Sequence, residues 1–204
     1  KGISAFIVER KSDGLTIGTP DKKMGQQGAK TADVIMEDVR VPAENIIGGV
    51  AGVGFKTAMK VLDRGRLHIS GVSVGIAERL FRECVTYAAE RKQFGKAIAD
   101  FQLIQAMLAD SKAESYAARC MVVDAAKKKD AGENVTLEAA CAKMFATEMV
   151  GRVADRAVQI FGGAGYISEY PIERLYRDVR LFRIYEGTTQ IQQLVIAREL
   201  MKDA

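Results

Sequence analysis

Residues 136–165 read TLEAACAKMFATEMVGRVADRAVQIFGGAG, and their spacing decides the fold. Leu137, Ala140, Cys141, Met144 and Phe145 recur at intervals of three and four, and Val150, Val153, Ala154, Ala157, Val158 and Phe161 carry the stripe onward. That period belongs to an α-helix with an apolar face. Gly162-Gly163-Ala164-Gly165 stops it, because glycine takes the backbone conformations that end helices. The spacing predicts a helix from Thr136 to about Phe161.

The same period extends outward on both sides. A first long helix is predicted from about Phe55 to Lys92, with Phe55, Ala58, Met59 and Leu62 on one face and Ile76, Leu80, Phe81, Cys84, Val85 and Ala88 continuing it. Gly65, Gly71 and Gly75 interrupt this helix, each at a cost of roughly 1 kcal/mol relative to alanine. Three such residues point to a close approach of another backbone or of a ligand, the alternative being that the helix is wrongly placed. A second helix runs from about Asp100 to Ala131, and the turn Asp130-Ala131-Gly132-Glu133-Asn134 leads into the third. A short helix follows from Pro171 to about Arg180, with proline in its first turn, and a last one from Thr188 to about Lys202. Long helices joined by short loops imply antiparallel neighbours. The predicted fold class is therefore mainly α, an up-down helical bundle.

The first fifty residues differ. Gly2 to Val8, Leu15-Thr16-Ile17 and Val34 to Val41 read as strands, the last ended by Pro42. The first has apolar residues of both parities, as in a strand with two covered faces. The glycine cluster Gly48 to Gly54 has no lysine after its final glycine and reads as a linker, not a phosphate cradle. The expected division is a β-segment over 1–50 and a helical bundle over 51–204.

Composition narrows the function. The chain has 204 residues, 48% hydrophobic and 27% charged, with a net charge of +4. The charges interleave, which argues against a basic nucleic-acid face. Lys127-Lys128-Lys129 suits a solvated helix end, where cations favour the dipole. Cys84, Cys120 and Cys141 are too widely spaced for a zinc pattern and read as buried free thiols. His68 is the only histidine, which argues against a Ser-His-Asp triad and excludes a multi-histidine metal site. No apolar run approaches the ~20 residues of a membrane span, and no leader peptide is visible.

Tyr185-Glu186-Gly187-Thr188-Thr189-Gln190 holds the densest chemistry. A carboxylate precedes a glycine, and two hydroxyls and an amide open a helix. Three readings stand: a helix cap, a proton-transfer site and an anion cradle. Other signals are weak singly, among them the glycine-rich helix end after Gln159 and the cations Arg91-Lys92 before Gln93-Phe94-Gly95.

Together, and in this order, these motifs carry a resemblance. Arg91-x-x-Phe94-Gly95, Phe101-Gln102, Gln159-x-x-Gly162-Gly163-x-Gly165, Glu169-Tyr170-Pro171-x-Glu173-Arg174-x-x-Arg177-Asp178 and Ile184-Tyr185-Glu186-Gly187-Thr188 closely resemble the C-terminal half of the acyl-CoA dehydrogenase family. Met24-Gly25, Glu37-Asp38-Val39-x-Val41-Pro42 and Asn45 resemble the end of that family's middle β-domain. Gln27 and Ala29 depart from it where many members carry Arg and Ser. The resemblance leads one to expect an N-terminal helical domain and most of the β-domain upstream of Lys1.

The resemblance implies an FAD-dependent α,β-dehydrogenation of acyl-CoA thioesters in fatty acid metabolism. Glu186 matches the base that removes the α-proton, while the β-hydrogen leaves as hydride. An ordinary carboxylate is a weak base, and an apolar acyl pocket strengthens one. The family also uses the base's own N–H as a donor to the thioester carbonyl. Some members place the base on the first long helix of this region, where this chain has Gly65. Asp63, Gly65, Arg66, Gly187 and Arg198 match substrate-site positions. Arg91, Gln102, Gln159, Gly162, Gly163, Thr188, Thr189 and Gln190 match FAD contacts, several of them reaching a neighbouring subunit's cofactor. The family further implies a homodimer or homotetramer, an electron-transfer flavoprotein as acceptor, and the bacterial cytoplasm or mitochondrial matrix as location. Two rivals are an oxidase-like flavoprotein reoxidised by oxygen and a non-catalytic helical assembly module.

Overall fold

The computed structural model describes residues 2–202. The chain forms two compact units, Lys1–Leu62 and Asp63–Ala204.

In the first unit, β1 (Leu15–Ile17) pairs antiparallel with β2 (Val34–Met36), Leu15 opposite Met36 and Ile17 opposite Val34. The strand expected over residues 2–8 reduces to a single bridge, Phe6 to Ile46, flanked by the bonds Ile7 N–H to Asn45 O and Ile47 N–H to Ala5 O. The strand expected over 34–41 ends at Met36, because Asp38 takes a left-handed φ of 51° that breaks the extended run. The two covered faces expected of the first strand are not found among the described residues, since Ile3, Phe6 and Ile7 are exposed, and Val34, Ile35 and Met36 of β2 are exposed as well. The glycine cluster is no free linker either. Gly54 N–H donates to Ile3 O and Gly52 N–H to Ser4 Oγ, and a Cβ on Gly54 would lie 2.6 Å from Ala5 N. Glycine is needed there because two backbones touch.

The second unit is helical. α1 spans Gly54–Glu90, and its residues from Asp63 onward belong to this unit. The hairpin of β3 (Lys92–Gln93) and β4 (Lys96–Ala97) follows. Phe94 and Gly95 turn it with φ of 52° and 81°, the paired positive values of a tight hairpin turn. The periodicity did not show this hairpin, because its strands are too short to carry one. α2 (Gln102–Asp130), α3 (Thr136–Phe161), α4 (Ile172–Val179) and α5 (Thr189–Leu200) complete the unit. The predicted bundle of four substantial helices and one short one is present.

α3 is the central wall and packs against α2, α4 and α5. Ala139, Ala140, Ala142, Ala146, Ala154 and Ala157 are all buried along it, so neighbouring backbones approach closely. Leu80 of α1, Met149 and Val150 of α3, Ile172 of α4 and Phe182 are buried in the same core. Each large apolar side chain buried in this way contributes about 1.5–3 kcal/mol.

Lys127, Lys128 and Lys129 do close α2, but Lys128 also reaches Glu138 of α3 at 2.9 Å. The thiols are not alike. Cys84 is buried, Cys141 half-buried and Cys120 exposed, because residue 120 falls on the outer face of α2. Among the described residues, no helix is long and apolar enough to cross a membrane, and no cluster of three potential metal ligands occurs.

Candidate active site

The site forms where the chain leaves the turn Arg180–Arg183 and enters α5. Glu186 and Gly187 take consecutive left-handed conformations, φ 57° and 85°. This is uncommon for a residue with a Cβ, and it reverses the chain sharply. Thr188 then caps α5, its Oγ accepting from Ile191 N–H at 3.3 Å. The cap reading of this stretch is thus correct. Thr189 Oγ donates to Glu148 Oε1 at 2.7 Å, and Arg183 binds the other oxygen of Glu148 at 3.2 Å. Gln190 is exposed.

The turn rests on two fully buried polar side chains. Lys143 Nζ donates to Gly187 O at 2.8 Å, and Gln192 Nε2 donates to Glu186 O at 3.1 Å and to Gly187 O at 3.0 Å. A Cβ on Gly187 would lie 2.6 Å from Gln192 Nε2, so only glycine fits. Among the described residues, neither the Glu186 nor the Gly187 N–H has an intramolecular acceptor.

The Glu186 carboxylate lies against α1 at Gly65. A Cβ built there would fall 2.7 Å from Glu186 Cδ and 3.0 Å from Oε1. Gly71 and Gly75 have nothing within 4 Å of the same position. What approaches Gly65 is thus a side chain of the same chain, not the other backbone or ligand expected from the three glycines, and no described residue comes close to Gly71 or Gly75.

Next to Gly65, Arg66 is buried and its Nη1 pairs with Asp63 Oδ1 at 2.9 Å, while Asp63 Oδ2 accepts from Thr136 Oγ at 3.1 Å. Among the described residues, Arg66 Nε is buried without a partner. Burial pushes the Lys143 ammonium down to about 8, and Arg66 pushes the same way against the opposing pull of Glu148 and Glu186. Burial likewise pushes the Tyr185 phenol up to about 12, with the Glu186 charge adding to it.

The predicted substrate-site residues Asp63, Gly65, Arg66 and Gly187 gather around Glu186. Arg198 does not. It lies about three turns along α5, exposed and paired with Glu199 at 3.2 Å.

The predicted cofactor residues fall into separate places. Arg91, Gly162 and Gly163 line one groove of about 820 Å³ with Tyr87, Phe161 and Tyr170. Tyr87 and Phe161 stack there at 4.0 Å. No described carboxylate pairs with the Arg91 guanidinium. A free cation beside bare glycine backbone and aromatic faces suits a flat, anionic molecule. Gln102 lines an adjoining groove that shares Gln93, Ile98 and Ile160 with the first. Gln159 is exposed and lines neither, and Thr188 to Gln190 stand with Glu186 at the head of α5.

Lys143, Gln192, Glu148 and Thr136 also belong to this site and are not among the residues expected there from the sequence. Lys143 had a signal: it shares the α3 face of Ala139, Ala140, Ala146 and Val150, where a lysine is out of place. Gln192 had a similar one, three residues before the buried Val195.

Residues 52–201 match the family model described as acyl-CoA dehydrogenase, C-terminal domain. The chain is 52% identical over 202 residues to the CarC subunit of a caffeyl-CoA reductase–Etf complex from Acetobacterium woodii, covering 99% of this chain and 53% of that protein. It is 48% identical over 202 residues to a 3-(aryl)acrylate reductase from Clostridium sporogenes, with the same coverage. It superposes on butyryl-CoA dehydrogenase from Megasphaera elsdenii with a TM-score of 0.95 at 44% identity, covering 98% of this chain and 52% of that one. The chain spans about half the length of the curated relatives it matches.

Proposed function

The chain belongs to the acyl-CoA dehydrogenase family, and from that premise we propose that it carries the base-bearing half of a flavoprotein acting on the Cα–Cβ bond of CoA thioesters. The observation that carries this reading is the Glu186 carboxylate lodged over Gly65, on a turn whose own N–H has no internal acceptor.

Glu186 takes the α-proton of the acyl thioester. Its N–H donates a hydrogen bond to the thioester oxygen, on which negative charge develops, a role that needs a fixed, unpartnered N–H. Gly65 leaves the carboxylate room that any side chain would fill. Arg66 and Asp63, tied to Thr136, hold the α1 wall of the site, and Arg198 serves the CoA end. FAD, when bound, supplies the two-electron redox chemistry. Arg91, Gly162 and Gly163 in the first groove, with Gln102, Gln159 and the helix start Thr188, Thr189 and Gln190, would hold it. Residues 1–50 form the tail of the middle β-domain, and the helices of 51–204 assemble the subunits into a dimer or tetramer. An electron-transfer flavoprotein is the proposed redox partner, since the A. woodii relative is a subunit of an Etf complex.

That relative and the C. sporogenes one are named as reductases, which favours a second direction for the same site. Glu186 would then return a proton to Cα of a 2-enoyl-CoA. Replacing Glu186 by Gln tests both directions. The variant should keep its flavin and its far-ultraviolet spectrum but lose acyl-CoA-dependent flavin bleaching by about 10²–10⁴-fold, the usual weight of general acid–base catalysis. Unchanged bleaching would refute the assignment. Peroxide release in air would instead favour the oxidase-like reading, and a protein without flavin the assembly module.

A further inference from the structure

The turn that carries Glu186 is strained, and something must hold it. Two consecutive positive φ values, one of them at a glutamate, persist only where surrounding contacts enforce them. Both carbonyls of the pair are held from beneath. Lys143 Nζ binds Gly187 O, and Gln192 Nε2 binds both Glu186 O and Gly187 O. Each donor side chain is fully buried, and each sits on a rigid helix, α3 or α5. Lysine is almost never fully buried without a partner. Its hydrogen-bond partner here is a backbone carbonyl, while Glu148, Arg66 and Glu186 surround it electrostatically. A charge-assisted donor on a carbonyl is stronger than a neutral one.

We propose that Lys143 and Gln192 are positioning residues for the reaction. By gripping the Glu186 and Gly187 carbonyls, they fix the turn so that the carboxylate stays over Gly65 and the Glu186 N–H stays free for the thioester oxygen. The proposal rests on the reading of Glu186 as the base. No bond forms or breaks at Lys143 itself.

The test uses the full-length, flavin-loaded protein and butyryl-CoA, with two readouts. The first is exchange of the substrate's α-hydrogen with solvent deuterium. The second is backbone amide exchange in the protein without acyl-CoA. Lys143→Met removes the ammonium while nearly conserving volume. It should slow α-exchange by about 10-fold or more, the weight of one hydrogen bond to a charged group. Amide exchange at Gly187, Thr188 and Thr189 should quicken, with the rest of α3 unchanged and butyryl-CoA affinity preserved. Lys143→Gln, which keeps an N–H donor, should recover part of the loss. Gln192→Met should act in the same direction, and it carries the test if Lys143→Met does not fold.

Unchanged amide exchange in Lys143→Met would overturn the proposal, as would exchange that quickens along all of α3. Loosened amides with wild-type α-exchange would also overturn it, leaving the base assignment intact. The base assignment fails separately, if Glu186→Gln keeps wild-type α-exchange.

Discussion

Gly65→Ala separates stability from activity at one atom. The methyl group would lie 2.7 Å from Glu186 Cδ and 3.0 Å from Oε1, whereas carbon atoms in comfortable contact stand about 3.5–4.0 Å apart. The carboxylate must therefore withdraw by roughly 1 Å. It can do so at small cost to the fold, because it is the end of a flexible side chain. The helix meanwhile gains roughly 1 kcal/mol from replacing glycine with alanine, worth about 2–4 °C in Tm for a protein of this size. A misplacement of about 1 Å at a reacting group costs on the order of 10²-fold in rate. Gly71→Ala and Gly75→Ala are the controls. They lie on the same helix, with nothing within 4 Å of the added atom. Thermal unfolding followed by circular dichroism should show Tm raised or unchanged in all three variants. Stopped-flow flavin bleaching by an acyl-CoA under anaerobic conditions should slow only in Gly65→Ala. Wild-type bleaching in Gly65→Ala, or an equal loss in Gly71→Ala, would contradict the role proposed for the Glu186 carboxylate.

Two further outcomes follow from burial. Burial pushes the Lys143 ammonium down to about 8 in the folded chain, below the 10.5 of an unfolded lysine. Between those values the unfolded state binds more protons, so stability rises with pH. The penalty of burying the ammonium is fully present below about pH 8 and is relieved towards pH 10.5. The Tm of the wild type minus that of Lys143→Met should increase between pH 8 and pH 10, by the equivalent of roughly 1–3 kcal/mol; a flat or falling difference would contradict the burial argument. Cys84 behaves oppositely, since burial pushes its thiol up to about 12, with the Glu83 charge adding to it. Iodoacetamide at pH 8 should label Cys84 only after unfolding, as read by peptide mass spectrometry, and labelling in the native protein would contradict its burial.

The bundle was legible in the sequence, and Asp63, Gly65, Arg66 and Gly187 were placed beside Glu186 through the family resemblance, whereas Lys143, Gln192, Glu148 and Thr136 were not. The apolar stripe of Thr136–Phe161 stated one helix almost to the residue, because periodicity is a local property of a long amphipathic segment. Thr188 declared itself as a cap through its hydroxyl and its place before a helix. Short elements were less legible. The expected strand over residues 2–8 dissolved into one bridge, and the hairpin at Lys92–Ala97 went unseen, because a few residues carry no readable period. The position of Glu186 itself is set by contacts between distant elements. Its carboxylate meets Gly65 across 121 positions of sequence, and its turn is gripped by Lys143 and Gln192 from two different helices. Those contacts depend on how the helices pack in space. No local pattern encodes a buried lysine's choice of a carbonyl on another element, so the chain announced the Glu186-Gly187 turn but not the side chains that hold it.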